Sequence, residues 1–186
     1  MPAPSIEFLF DLSFIPADLR ASLPPGLTLR PLASSDYARG HLSLLAHLTS
    51  APDVGQSTWA ARYADLERVN QAQLTYLPVV IVDDDTDSLV GQATVFLERK
   101  FLRTAGTVGH IEDVVVDPKM QGKKLGLKLL EVLTAMSEQC GAYKVRSPPL
   151  PRPCASELTL SFLTDDSRLR PEERGCVQLL LTRPQS

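Results

Sequence analysis

The stretch GHIEDVVVDPKMQGKKLGLKLLEVL, Gly109 to Leu133, changes its period halfway along. Its first part, HIEDVVVD, is rich in β-branched residues and reads as a strand, which Pro118 interrupts. Leu125, Leu129, Val132, Leu133 and Met136 then recur at helical spacing, and Gly141 is placed to stop that helix. Between strand and helix, the amides of Gln121 to Gly126 point out of a helix start, where the macrodipole favours an anion. Gly122 and Gly126 let a ligand approach the backbone closely. A phosphate or pyrophosphate fits such a turn. Taken alone, however, a glycine-lysine turn before a helix is more often a plain solvated entry.

Upstream, LTLRPL at Leu27–Leu32 follows the turn signal PPG and alternates as a half-buried strand would. SSDYARGHLSLLAHLT sets Leu42, Leu45 and Leu48 on one helix face, with Ser34 or Ser35 available as the cap. A second helix is expected in STWAARYADLERV, where Trp59, Tyr63 and Leu66 share a face and Ser57 or Thr58 is the candidate cap. LPVVIVDDDTDSLVGQATVFLERK then shows two β-rich runs around an acidic turn, the pattern of a hairpin.

The 186 residues, 44% of them hydrophobic, suit one globular domain with a sizeable core. A net charge of -3 gives no general attraction to nucleic acid or acidic membranes. No apolar run approaches membrane-spanning length, and Glu7 and Asp11 are out of place in a signal peptide, so a cytoplasmic location is expected. Cys140, Cys154 and Cys176 are odd in number and lack CxxC spacing. They read as reduced thiols, and no metal site is expected.

Together with FLERKF and GAYK, and with LRPL and HLT nearer the front, the opening stretch resembles glucosamine-6-phosphate N-acetyltransferase of the GNAT superfamily. The resemblance runs from about Phe8 to Lys144. It implies an α/β fold: a mixed, mostly antiparallel central sheet flanked by helices. It also implies acetyl transfer from acetyl-CoA to the 2-amino group of glucosamine 6-phosphate, a step toward UDP-N-acetylglucosamine, in a homodimer. Carried over by residue, the resemblance puts the amides of Gln121, Gly122, Lys123, Lys124, Leu125 and Gly126 on the CoA pyrophosphate. The backbone of Val114, Val115 and Val116 would lie beside the pantetheine arm and the thioester carbonyl. Glu112 and Asp113 would orient and help deprotonate the amine, and Thr49, Arg99 and Lys100 would lie near the sugar and its phosphate. Lys124 departs from the superfamily loop, standing where its first glycine is usual. The reading of the residues alone leaves Glu112 and Asp113 as solvent-facing strand positions, and His110 as a packed or exposed imidazole without a catalytic part.

After Lys144 the resemblance ends. VRSPPLPRPCASELTLSFLTDDSRLRPEERGCVQLLLTRPQS carries prolines at 148, 149, 151 and 153, which exclude a continuing central strand. The expected organisation is an N-terminal arm (1–26), an acetyltransferase core (27–145) and a divergent, proline-rich, poorly ordered tail (146–186), with the fold's C-terminal strands missing or replaced. ELTLSFL and CVQLLLT are the runs in it that can pair as strands. The family's amine-holding aspartate and thiolate-protonating tyrosine belong to the absent segment, so weak or absent activity is expected. The alternative is a non-catalytic, splice-type isoform that dimerises or competes with an intact enzyme. Acetylation of a different amine also stays open, because the glycine turn specifies only the donor.

Overall fold

The computed structural model describes residues 7–147 and the backbone of 177–180. Six strands form one sheet in sequence order: β1 (Leu27–Pro31), β2 (Tyr76–Asp83), β3 (Ser88–Arg99), β4 (Thr107–Val116), β5 (Ala142–Ser147) and β6 (Val177–Leu180). All neighbours are antiparallel except β4 and β5, which are joined by a crossover helix and run parallel. The expected hairpin is β2–β3, whose turn Asp83 nucleates by accepting from the amides of Asp85 and Thr86.

The helices are α1 (Ala17–Ala21), α2 (His41–Leu45), α3 (Gln56–Ala72), α4 (Leu102–Ala105) and α5 (Leu125–Gln139). In α4, Arg103 and Thr104 have φ of 55° and 57°, so it is a left-handed turn closing the β3–β4 connection. The stripe read from the sequence on α5 is fully realised. Leu125, Leu129, Val132, Leu133 and Met136 are all buried. Their face covers β3, β4 and β5, where Ser137 packs so closely on Gly109 that a Cβ there would stand 2.6 Å from the Ser137 Oγ.

Three local expectations are corrected. The first helix is five residues long and starts at His41, after Gly40 in a left-handed conformation, without a serine cap. Ser34 and Ser35 instead belong to a turn organised by Asp36, which accepts from the Ala33 amide at 2.7 Å and pairs with Arg30. The second helix starts one residue before Ser57, after Gly55 at φ 81°, with no side-chain cap. Strand β1 does not alternate simply: Leu29, Arg30 and Pro31 are all buried, because the Arg30 charge is neutralised by Asp36 inside the fold.

Leu9, Phe10, Ile15 and Leu23 of the N-terminal arm belong to the buried core. Of the tail, Val177–Leu180 within CVQLLLT pairs antiparallel with β5, while ELTLSFL lies outside the described residues. Cys140 is a half-buried free thiol, and Cys154 and Cys176 lie outside the described residues. No described helix is long and apolar enough to cross a membrane.

Candidate active site

The site begins with a defect in β4. On β3, Thr94 faces Glu112 and Gln92 faces Val115, so one residue, Ala93, spans both Asp113 and Val114. That extra residue is a β-bulge, which bends its strand. Asp113 takes the strain with φ 53°, a left-handed conformation that aspartate tolerates better than branched residues. On the other edge of β4, among the described residues, the ladder with β5 runs from Thr107↔Ala142 to His110↔Arg146, one residue short of the last described residue of β5, Ser147, while β4 continues to Val116. Val114, Val115 and Val116 lie beyond that last pair.

Between β4 and α5 stands the turn read from the sequence. Asp117 accepts from the Lys119 amide at 2.8 Å and closes a 3-10 turn, Pro118–Met120, that leads into it. Gln121, Gly122, Lys123 and Lys124 are exposed, and Leu125 is buried as the first residue of α5. The first α5 ladder bond is Lys128 N–H to the Lys124 carbonyl at 3.2 Å, so the amides of Leu125, Gly126 and Leu127 precede the helical ladder. A Cβ on Gly122 or Gly126 would meet no atom within 4 Å. Both glycines thus face open space, and the turn has room for a diphosphate. Lys124, where the usual glycine is missing, adopts φ 56°.

On the sheet face opposite α5 lies a cleft of ≈ 480 Å³ to which α2, α3, β2, β3 and Asp113 contribute. One wall carries a polar chain that runs from Trp59 through His41 to Gln92. The indole Nε1–H of Trp59 donates to His41 Nδ1 at 2.9 Å, which leaves the proton on Nε2 to be donated to Gln92 Oε1 at 2.5 Å. Burial holds the His41 imidazole below its usual range, against the hydrogen bond to Gln92 and the charges of Asp36 and Asp113. Tyr76 also lines the cleft, and burial pushes its phenol up, with the Asp113 carboxylate adding to the rise. Thr94 Oγ1 lies under the bulge beside that phenol, buried and outside hydrogen-bonding geometry.

The proposed sugar contacts are not all brought together. Glu112 and Asp113 are exposed at the bulge, and Thr49 is exposed just beyond α2. Arg99 faces Thr107 at the far end of β3, five residues from the Thr94↔Glu112 pair, about 17 Å along the strand. Lys100 is held there by Glu98 at 2.7 Å, and Glu98 also accepts from His110 Nε2 at 2.8 Å. These two donors hold the Glu98 carboxyl below its usual range. His110 is therefore a packed imidazole at the last described β4–β5 pair.

A mostly antiparallel sheet with one parallel pair, β4–β5, a bulge in β4, and a glycine turn opening the crossover helix between the two strands is the architecture of an acyl-CoA-dependent transferase. The chain belongs to the acetyltransferase (GNAT) family, whose model matches residues 43–148. Within it, similar proteins are glucosamine 6-phosphate N-acetyltransferases. A probable enzyme of that name from Oryza sativa subsp. japonica is 36% identical over 121 residues, covering 63% of this chain and 70% of its own length. One from Dictyostelium discoideum is 35% identical over 123 residues, covering 64% and 74%. The crystal structure of the Arabidopsis thaliana enzyme superposes with a TM-score of 0.62 at 33% identity, over 67% of this chain and 82% of that one.

Neither His41 nor Gln92 was legible as part of the site. They lie 51 residues apart, and Trp59 reads as an ordinary buried helix residue. Positive φ at Asp113 has no sequence signature at all.

Proposed function

We propose that the chain transfers the acetyl group of acetyl-CoA to the 2-amino group of D-glucosamine 6-phosphate. The observation that carries this reading is the acidic bulge at Glu112 and Asp113 on β4, the strand that leads directly into the Gln121–Gly126 turn at the start of α5. The turn's amides suit the CoA diphosphate, supported by the positive end of α5. The β4 backbone at Val114, Val115 and Val116 offers main-chain partners to the pantetheine arm. An amide of this edge aimed at the thioester carbonyl stabilises the tetrahedral oxyanion.

Glu112 and Asp113 hold and deprotonate the amine. An amino-sugar ammonium titrates roughly like an α-amino group, near pKa 7.7 to 8.0, so a carboxylate acting directly or through water suffices. The free amine attacks the acetyl carbon, the carbon–sulfur bond breaks, and CoA leaves as a thiolate that takes up a proton. The tyrosine that the resemblance gives to that last step belongs to the segment replaced after Lys144, so slow turnover is expected.

Arg99 lies about 17 Å along β3 from the Thr94↔Glu112 pair, so in this proposal Arg99 and Lys100 reach the sugar phosphate from a second protomer of a homodimer. The non-catalytic isoform is favoured as a second reading by the changed sequence after Lys144.

Measuring CoA release from acetyl-CoA with and without glucosamine 6-phosphate tests the assignment. Release that depends on the sugar phosphate and falls in Asp113→Asn is expected. Tight acetyl-CoA binding without sugar-dependent release, at any enzyme concentration, transfers the chain to the second reading.

A further inference from the structure

Thr94 is completely buried, and its Oγ1 has no hydrogen-bond partner among the described residues. Buried polar atoms are nearly always paired, so an orphan marks a place where function outweighs stability. The flanking strands do not serve it. Pro78, opposite Thr94 on β2, has no amide to give, and its carbonyl already accepts from the Leu32 N–H at 3.1 Å. Glu112, opposite on β4, is exposed at the bulge.

The neighbour within reach is Tyr76. It lies opposite Phe96, and Pro78 lies opposite Thr94, so Tyr76 and Thr94 are diagonal neighbours on one sheet face. The phenol lines the same cleft as Asp113. Burial pushes that phenol up, and the two neighbours then act on it with opposite signs. Thr94 lowers its pKa, as a donor to the phenolate does, while the Asp113 carboxylate raises it by its charge and by accepting the phenol proton. Arg62 of α3 is the cation that faces it, and it acts weakly downward. A phenol has a single proton, and an ionised carboxylate can only accept. The donor order is therefore Thr94 to Tyr76 to Asp113.

We propose that Tyr76 and Thr94 are positioning residues for Asp113: the Thr94 hydroxyl donates to the Tyr76 oxygen, and the Tyr76 hydroxyl donates to the carboxylate and fixes its orientation on the left-handed bulge residue. The two hydroxyls stand short of hydrogen-bond geometry, and a small movement of the Tyr76 ring completes the chain. Neither gives up its proton in the reaction. An exposed carboxylate on a strained residue otherwise turns freely, whereas a base must hold its lone pair on the proton it removes. The relay belongs to the chain without ligands, and its effect on turnover rests on the proposed acetyl transfer.

The full chain labelled with 3-fluorotyrosine, a more acidic phenol than tyrosine, allows Tyr76 to be titrated by fluorine NMR without acetyl-CoA or sugar phosphate. Its resonance, one of four, is the one missing from Tyr76→Phe. Asp113→Asn keeps the backbone conformation, since asparagine also accepts positive φ, and is expected to lower the Tyr76 pKa. Thr94→Val is expected to raise it, and Thr94→Ser, which keeps the hydroxyl, to restore the parent value. Because Thr94→Val also removes a buried orphan, its urea midpoint is expected to hold or rise. A merely structural threonine would instead give a lower midpoint and an unmoved phenol. In the CoA-release assay Tyr76→Phe is expected to lower kcat about tenfold with KM for acetyl-CoA unchanged. A Tyr76 titration unmoved by Asp113→Asn or by Thr94→Val, or moved the same way by both, overturns the proposal. So does an unchanged kcat in Tyr76→Phe where the parent shows sugar-dependent release. If the parent shows no such release, the transfer reading falls, while the titration still decides the relay.

Discussion

Trp59 fixes the tautomer of His41: an indole N–H can only donate, so the imidazole Nδ1 facing it at 2.9 Å must accept and Nε2 must carry the proton. Protonating His41 would turn that acceptor into a donor facing another donor, inside a wall where burial already lowers its pKa. Above about pH 6.5 folded and unfolded imidazoles are both neutral, and His41 contributes no pH dependence. As the pH falls below that value the unfolded state takes up a proton that the folded state refuses, so stability declines until the folded pKa is reached. Urea midpoints measured between pH 7.5 and 5.5 are expected to fall with acidification, and His41→Gln is expected to flatten that decline.

Trp59→Phe isolates the hydrogen bond from the packing. It retains most of the apolar surface but leaves His41 Nδ1 buried without its donor, at a cost of about 1–3 kcal/mol. Equilibrium unfolding near pH 7.5 reads this directly. A cost near zero would mean that water or a rotated ring replaces the indole.

The Arg30–Asp36 pair ties β1 to the turn before α2 and so sets where His41 enters the cleft. Both contacts are short, 2.8 and 2.7 Å, and the Asp36 side chain is completely buried. Removing one partner of a buried pair strands the other charge, at a typical cost of about 3–5 kcal/mol. Arg30→Met should fall at the lower end, because Asp36 still accepts from the Ala33 amide and lies 3.4 Å from Arg39. A lowered urea midpoint with an unchanged slope is the expected signature.

Gly109 is glycine for a steric reason that only the folded state reveals. A methyl group at this position would lie 2.6 Å from Ser137 Oγ and 3.0 Å from its Cβ. Gly109→Ala must push α5 away from β4, at a cost of about 1–3 kcal/mol. Adding Ser137→Gly removes both colliding atoms and is expected to recover part of that loss. The two changes therefore couple in a double-mutant cycle, whereas simple additivity would place the strain elsewhere.

The unequal legibility of fold and site has a physical origin. Periodicity reports which face of an element is buried, so the α5 stripe, the β2–β3 hairpin and the turn at Gln121–Gly126 were all readable. Local sequence does not report which distant groups meet. Arg30 looks like an exposed strand residue until Asp36 folds under it, and Ser34 and Ser35 look like caps until Gly40 starts the helix instead. The bulge at Asp113 depends on β4 gaining one residue against β3, a register that neither strand encodes alone. The separation of Arg99 from Glu112 followed only once that register was known.

Gly126→Asp separates folding from donor binding, because the two respond with opposite signs. The position is the second residue of α5, and a Cβ there meets nothing within 4 Å. Leaving glycine inside a helix and adding an acid near its positive end together stabilise the fold by roughly 0.5–1 kcal/mol. If the turn holds the CoA diphosphate, the same carboxylate stands beside it and repels it, with Coulomb energy of about 4 kcal/mol at 4 Å for an effective dielectric near 20. Acetyl-CoA binding measured by calorimetry at low salt should then weaken at least tenfold while the thermal midpoint rises or holds. Added salt should narrow the gap, since screening acts on the exposed repulsion. Gly126→Asn, similar in size and uncharged, should lose far less affinity. An aspartate variant that binds acetyl-CoA as well as the parent chain removes the turn from the donor site.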